Sequence, residues 1–406
     1  MATALKGAPA GSSIPAYSLQ ASFPIEVGES SNETIDVGTR AVRARRTAIR
    51  LTAPGTAGLD AELWADENGR LLRLSIPAQN LEVVREDIAS VAARRVAVSR
   101  PGDEPVRIAG NGFSLAGTLS RPASAANRPL PGVILVGGSG PTDRDETAFG
   151  VPIFGELAGM LANAGFLVLR YDKRGVGQSG GRPEAAALAD YTEDLRSAIK
   201  FMADRKDVDR KRLATVGHSE GGSVAMLAAA ADDRVTAVVL IDAIGVTGAE
   251  LNLEQVTHAL GRTNRSDADK QATIELQKKI QLAVLTGTGW EGITPNVRRQ
   301  ADTLWFKSYL AFDPAKPLDK MRQPLLIVQS MLDTQVPPSN ADRLETLAKA
   351  RKKAAAVEVV RIPDINHLLV PATTGEVDEY PNLADKHVSP AVGSAVAAWL
   401  QKTFAK

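Results

Sequence analysis

The chain contains no cysteine. That absence excludes disulfides, thiolate metal sites and a cysteine nucleophile together. It leaves the compartment open, because such a chain folds equally well in reducing or oxidising surroundings. A dominant charge is also missing: 48 basic residues face 47 acidic ones, for a net charge of +1. This balance offers no electrostatic basis for binding nucleic acid or an anionic membrane. The densest basic stretch, Arg40 to Arg46 (RAVRARR), alternates as a strand with one solvated face does. No apolar run reaches the ~18 residues of a membrane span. The opening MATALKGAPAGSSIPAYS has no signal-peptide apolar core, so the chain is expected either in the cytoplasm or exported after loss of a signal segment. Histidines number only 4 and lack ligand spacing, so neither a metal nor another cofactor is expected.

What remains is a chain of 406 residues, 44% hydrophobic and 23% charged, enough for one large globular domain plus a smaller one. Residues 1–100 read as a β-rich N-terminal domain after a small, Gly/Ser/Pro-rich start. Within it LDAELWADENGRLLRLSIPA forms two strands around the turn Asp66-Glu67-Asn68-Gly69. A polar linker near Pro101 to Pro105 precedes a second domain, 101–406. It opens with a hairpin at Asn111-Gly112. From residue 131 short, unbroken apolar strands alternate with helices predicted over 149–164, 187–204, 219–231 and 338–352. Strands of that kind are buried on both faces, which implies an α/β class with a mostly parallel sheet and helices on both sides. Residues 246–312 have helical periodicity and no strand-like run, with Leu251, Leu253, Val256 and Leu260 at helical spacing. Ser266 and Asp269 fit a capping box there. This segment is expected as a helical cap over the carboxyl edge of the sheet.

The motif G-x-S-x-G occurs twice, and context separates the copies. Ser219, in VGHSEGG, follows the strand-like LATV and opens the helix SVAMLAAAA, the strand–turn–helix setting of a nucleophile elbow. Ser179, in GQSGG, lies in a glycine-rich loop several residues before any helix. At an elbow, Gly217 and Gly221 leave room for backbone that passes too close for side chains. The helix behind Ser219 aims its first N–H groups at a reacting carbonyl.

A serine needs a base, then a carboxylate to orient it. His218 adjoins the serine and points elsewhere. His258 lies in the helical segment, and His387 begins the final helix. His367, just past the strand VEVVRIP, is the preferred base, giving an activity that rises as the imidazole loses its proton. Asp333, just past PLLIVQS, is the preferred carboxylate; Asp242, ending VVLID, is the second choice, and Asp364 suits a turn. The order Ser219, Asp333, His367 is the one this constellation follows in an α/β-hydrolase sheet. One oxyanion donor is the backbone N–H of Glu220; the other comes from the loop Gly137-Gly138-Ser139-Gly140-Pro141.

The stretches LVGGSGPTDRDE, LRYDKRGVGQSGG, VGHSEGG, LIVQSMLDTQVPP and INHLL resemble bacterial serine carboxylesterases of the α/β-hydrolase superfamily, over about residues 103–406. The resemblance implies an acyl-transfer enzyme with Ser219, Asp333 and His367 as its triad. It implies that Ser139 and Glu220 supply the oxyanion N–H groups. One departure is Gly137-Gly138, where many relatives carry His-Gly. Asp143, Arg144 and Asp145 are read as a salt-bridged loop anchor.

Other classes fit less well. Gly175, Gly177 and Gly180 form G-x-G-x-x-G, but GGRPEAA separates it from the next helix, against a dinucleotide site. A binding protein with an inactive triad is a different class, disfavoured because all three residue types are present. The expected substrate is a small-molecule ester, favouring short acyl chains, with a peptidase or thioesterase as alternatives. Trp290, Trp305 and Phe306 either wall the substrate pocket or pack as ordinary core. The N-terminal domain either restricts access, binds a polymer or glycan, or mediates homodimerisation.

Overall fold

The computed structural model describes residues 5–17, 22–37, 40–52, 58–77, 81–85, 98–123, 128–352 and 355–405. Residue contacts divide the chain into two units, 1–95 with 177–180, and 96–176 with 181–406.

The first unit is an antiparallel sheet of six strands in sequence order: β1 (Ser13–Tyr17), β2 (Ser22–Val37), β3 (Arg40–Leu51), β4 (Leu59–Ala65), β5 (Leu71–Ile76) and β6 (Leu81–Val84). Alternation gives it two buried clusters, the smaller formed by Ala44, Trp64 and Leu72. Ile25 and Val27 on β2, Ile49 on β3 and Leu63 on β4 are buried together. Arg46 of the basic strand pairs with Glu33 and Glu62 across the sheet while its side chain stays partly exposed. The turn between β4 and β5 falls where expected, with Gly69 at φ 74° and the Gly69 N–H donating to the Asp66 carbonyl. The stretch 86–97, part of the expected domain boundary, lies outside the described residues.

The second unit is a mixed sheet of eight strands. They are β7 (Glu104–Ala109), β8 (Ser114–Ser120), β9 (Leu130–Val136), β10 (Leu167–Tyr171), β11 (Val208–His218), β12 (Ala237–Ile241), β13 (Leu325–Ser330) and β14 (Val357–Ile362). In space the order is β14-β13-β12-β11-β9-β10-β8-β7. Neighbours from β14 to β10 are parallel, whereas β8 is antiparallel to both β10 and β7. The unbroken apolar runs are covered on both sides, as expected. Ile134, Val238, Leu240 and Ile327 face one core. Their chain neighbours Val133, Leu135, Val239 and Val328 face the other.

Ten helices of this unit are used below: α1 (Ile153–Asn163), α2 (Leu188–Asp204), α3 (Glu220–Ala231), α4 (Gly248–Gly261), α5 (Asp267–Thr286), α6 (Pro295–Ala301), α7 (Leu304–Leu310), α8 (Ala315–Lys320), α9 (Ser339–Lys349) and α10 (Pro390–Phe404). One core takes α2, α3, α8 and α9; the other takes α1 and α10. Helix α1 starts at Ile153, not 149, because Pro152 has no N–H to close an earlier turn. Residues 147–148 and 151–152 pair instead as a short antiparallel ribbon. Likewise α10 starts at Pro390, so His387 precedes the final helix instead of beginning it.

Helices α4–α7 fill residues 246–312, with their own core of Leu251, Ile280, Val284, Trp290 and Tyr309. The N-cap of α5 is Ser266, whose Oγ accepts from the Asp269 N–H at 3.2 Å. Among the described residues no helix is long and apolar enough to cross a membrane.

Candidate active site

Parallel strands bring their carboxyl ends to one rim, and four of the expected residues follow such ends. Ser219 comes directly after β11, Ser139 three residues after β9, Asp333 three after β13 and His367 five after β14.

The elbow explains why only glycine serves on either side of Ser219. Ser219 holds φ 55° and ψ −125°, a strained backbone for a residue with a side chain. A Cβ on Gly217 would collide with the Gly221 carbonyl, and one on Gly221 with the Val136 carbonyl. The Ser219 N–H donates to the Ile241 carbonyl at 3.0 Å, which ties the strained turn to β12.

The His367 ring bridges the expected partners. Its Nε2 lies 3.1 Å from Ser219 Oγ and its Nδ1 lies 2.7 Å from Asp333 Oδ2. The other oxygen of Asp333 accepts from the Gln335 and Val336 N–H groups at 2.8 and 2.9 Å. Both side chains are buried. Asp242, the second choice, turns elsewhere: its oxygens accept from the Ser330 N–H at 2.7 Å and the Ser330 hydroxyl at 2.6 Å. Burial and the nearby Asp333 carboxylate push the Asp242 carboxyl well above the usual carboxylate range, against the pull of the His367 and His218 rings.

Ser139 and Glu220 line the same cavity as Ser219 and His367. Among the described residues, neither backbone N–H donates to a protein acceptor. Gly138 is different, because its N–H is already given to Glu146 Oε1. That carboxylate is one of three buried groups that motif reading missed. Glu146 Oε1 also meets His218 Nδ1 at 3.1 Å, and His218 Nε2 donates to the His367 carbonyl at 2.9 Å. Glu146 and His218 therefore join the Gly138 loop to the His367 loop. Burial opposes charge on His218. The Glu146 carboxylate, by charge and hydrogen bond, outweighs it and raises the ring to about 9, with help from Asp242 and Asp333.

The third missed group is Lys173. Its ammonium donates to the Gly138 carbonyl and, at 3.1 Å, to Glu220 Oε1. Glu220 Oε2 accepts from Trp305 Nε1 at 2.6 Å. Trp305 thus ties α7 to the first residue of the helix behind Ser219. The loop anchor is present as well: buried Arg144 pairs with Asp172 at 2.6 Å, and buried Arg170 with Asp145 at 2.7 Å.

The cavity over Ser219 has a volume of about 350 Å³. Trp305 and Phe306 line it, but Trp290 does not. Trp290 is buried in the cap core with the Arg298 guanidinium 5.0 Å from its ring centre. The remaining histidines face carboxylates at the surface, His258 with Glu376 and His387 with Glu156. Among the described residues, the one group with metal-ligand atoms close together is His218, Asp242 and His367. The ring nitrogens and carboxylate oxygens of all three already carry the hydrogen bonds described above. The G-x-G-x-x-G loop does not lead directly into a helix: α2 starts only at Leu188.

Comparison with known proteins agrees with this architecture. A family model described as serine aminopeptidase, S33, matches residues 151–266. The chain is 27% identical over 277 residues to esterase EstD of Thermotoga maritima, covering 68% of this chain and 63% of that one. It is 34% identical over 124 residues to thiohydrolase apmlB of Arthrinium phaeospermum, covering 28% and 40% respectively. The chain therefore spans less than two thirds of the length of either relative. Among solved structures, Est1E from Butyrivibrio proteoclasticus is similar at a TM-score of 0.47 and 18% identity, covering 74% of this chain and 99% of that one. The fold is that of the α/β hydrolases, and the resemblance to esterases of that superfamily holds.

Proposed function

We propose that this α/β-hydrolase chain is a serine carboxylesterase working through an acyl-enzyme, with Ser219, His367 and Asp333 as its triad. The observation that carries the reading is His367 set between Ser219 Oγ at 3.1 Å and Asp333 Oδ2 at 2.7 Å, at the cavity floor. The likeness to EstD, named as an esterase, supports the choice of ester chemistry.

In this reading His367 Nε2 takes the Ser219 proton as Oγ attacks the ester carbonyl carbon. Asp333 accepts from Nδ1–H, fixes the tautomer and stabilises the imidazolium that forms. The carbonyl oxygen gains the negative charge and is met by the Ser139 and Glu220 N–H groups. Loss of one such donor costs on the order of 3 kcal/mol in the transition state. The imidazolium then protonates the departing alkoxide, leaving the acyl group on Ser219. Water, deprotonated by His367, attacks that acyl carbon; the carboxylic acid leaves and Ser219 regains its proton.

No step needs a group from outside the chain other than water. A cavity of about 350 Å³ is near the small end for ligand sites, which supports short acyl or alcohol parts. The test is a panel of p-nitrophenyl acetate, a short acyl thioester and an aminoacyl amide, assayed with wild type and Ser219→Ala. Ester turnover that vanishes in Ser219→Ala is expected. Turnover retained in that variant removes Ser219 from the role, and preference for the amide or thioester replaces the carboxylesterase reading.

A further inference from the structure

Among the residues lining the cavity over Ser219 are Asn252 and Gln255 of α4, which stand one turn apart on the same helix face. Their neighbour on that face, Leu251, is apolar, so two carboxamides are out of keeping with a pocket built only for alkyl groups. The hydrogen bonds around them decide which atom of each is presented.

Gln281 on α5 donates from Nε2 to the Ala249 carbonyl at 3.0 Å. A carbonyl only accepts, so that end of Gln281 is the amino end. Its second N–H reaches Asn252 at 2.9 Å, which makes the atom there the Asn252 oxygen. Gln277 Nε2 donates to the same oxygen at 2.7 Å. The Asn252 oxygen is thus held toward α5 by two donors, and its amino group is left over. Gln255 is fixed in the opposite sense: its Nε2 donates to the Gln335 carbonyl at 2.8 Å, which leaves its oxygen. Among the described residues, neither the Asn252 amino group nor the Gln255 oxygen has a protein partner.

We propose that Asn252 and Gln255 form a recognition site for a hydroxyl group carried by the substrate away from its scissile bond. This rests on the ester-hydrolase reading and names its substrate class: hydroxylated esters. The site presents the Asn252 amino group as donor and the Gln255 oxygen as acceptor. A hydroxyl both accepts and donates, so a single group satisfies both. A carbonyl answers only the Asn252 amino group, and an alkyl chain leaves both polar groups unpaired once water is displaced. The carboxamides are held before substrate arrives, so little ordering cost falls on binding.

The experiment measures kcat/KM by pH-stat on the full chain for three hydroxylated esters and their deoxy counterparts. The pairs are ethyl 3-hydroxybutyrate with ethyl butyrate, ethyl 6-hydroxyhexanoate with ethyl hexanoate, and 2-hydroxyethyl butyrate with ethyl butyrate. At least one hydroxylated ester is expected to exceed its counterpart by about tenfold, the effect of one or two neutral hydrogen bonds. In Asn252→Leu, and separately in Gln255→Met, that ratio is expected to fall toward one. Ratios near one for all three pairs in wild type overturn the proposal, whether or not the variants fold. So does a preference that survives both variants. These outcomes leave ester turnover intact and are distinct from turnover of no ester, or turnover surviving in Ser219→Ala, which overturn the hydrolase reading and this site with it.

Discussion

Replacing Glu146 by glutamine removes one negative charge from the buried bridge between the Gly138 and His367 loops and hardly changes its shape. Burial alone disfavours a charged His218, and the Glu146 carboxylate reverses that, raising the ring to about 9. An unfolded histidine titrates near ~6.5. A folded pKa above the unfolded one stabilises the fold fully below the unfolded value. That stability is lost as pH rises from about 6.5 through about 9. The gap of roughly 2.5 units corresponds to on the order of 3 kcal/mol. For a unit of roughly 300 residues this is about 5 °C in Tm. Thermal melts of wild type and Glu146→Gln at pH 6, 7, 8 and 9.5 test the account. Wild type is expected to be the more stable at pH 6 by about that margin, and the gap should close toward pH 9.5. A gap that stays constant across the series refutes the claim that Glu146 holds His218 protonated.

The proposed triad separates the two buried aspartates: Asp333→Asn should lower kcat about a thousandfold or more with little change in KM. Asp242→Asn, which disturbs the contacts to Ser330 and removes a secondary charge acting on His218, should cost less than about tenfold; equal losses in kcat would contradict the assignment. Gly221→Ala puts a methyl against the Val136 carbonyl, backbone on both sides, and is expected to cost about 3 kcal/mol or more. An unchanged denaturation midpoint would show that the elbow tolerates a side chain. Trp305→Phe removes one hydrogen bond to buried Glu220 and should destabilise by about 1–2 kcal/mol, since that acceptor is charged. Lys173→Met, which strands the Glu220 carboxylate, should cost about 3–5 kcal/mol; urea titrations giving the reverse order would show that Lys173 is not the carboxylate's main partner.

Ser219, His367 and Asp333, proposed above as nucleophile, base and carboxylate, were legible because each follows an apolar strand in the chain, and parallel strands carry such residues to one rim. The same logic marked Glu220 and the loop Gly137 to Pro141; within that loop, Ser139 was singled out by the family resemblance. Three buried groups of the site were not legible. Apart from the local Glu146 contact to Gly138, Glu146, Lys173 and His218 reach their partners through contacts 35 to 149 residues apart in sequence. All three sit in stretches that were read for other reasons, LVGGSGPTDRDE, LRYDKRGVGQSGG and VGHSEGG. The Arg144 and Asp145 anchors were legible as alternating charges, but their partners Asp172 and Arg170 came only with the fold. Aromatic residues in the cap carried no direction in the sequence. Trp305 and Phe306 turn to the cavity, whereas Trp290 fills the cap core. Helical spacing alone does not say which of two apolar faces an aromatic joins.

Whether Ser219 is the acylated residue is tested most directly by labelling with a fluorophosphonate at neutral pH, followed by peptide mass spectrometry. One phosphonyl adduct per chain is predicted, on the tryptic peptide carrying Ser219, and none in Ser219→Ala or after His367→Ala. An adduct on Ser179, or labelling of Ser219→Ala at the wild-type rate, would contradict the account.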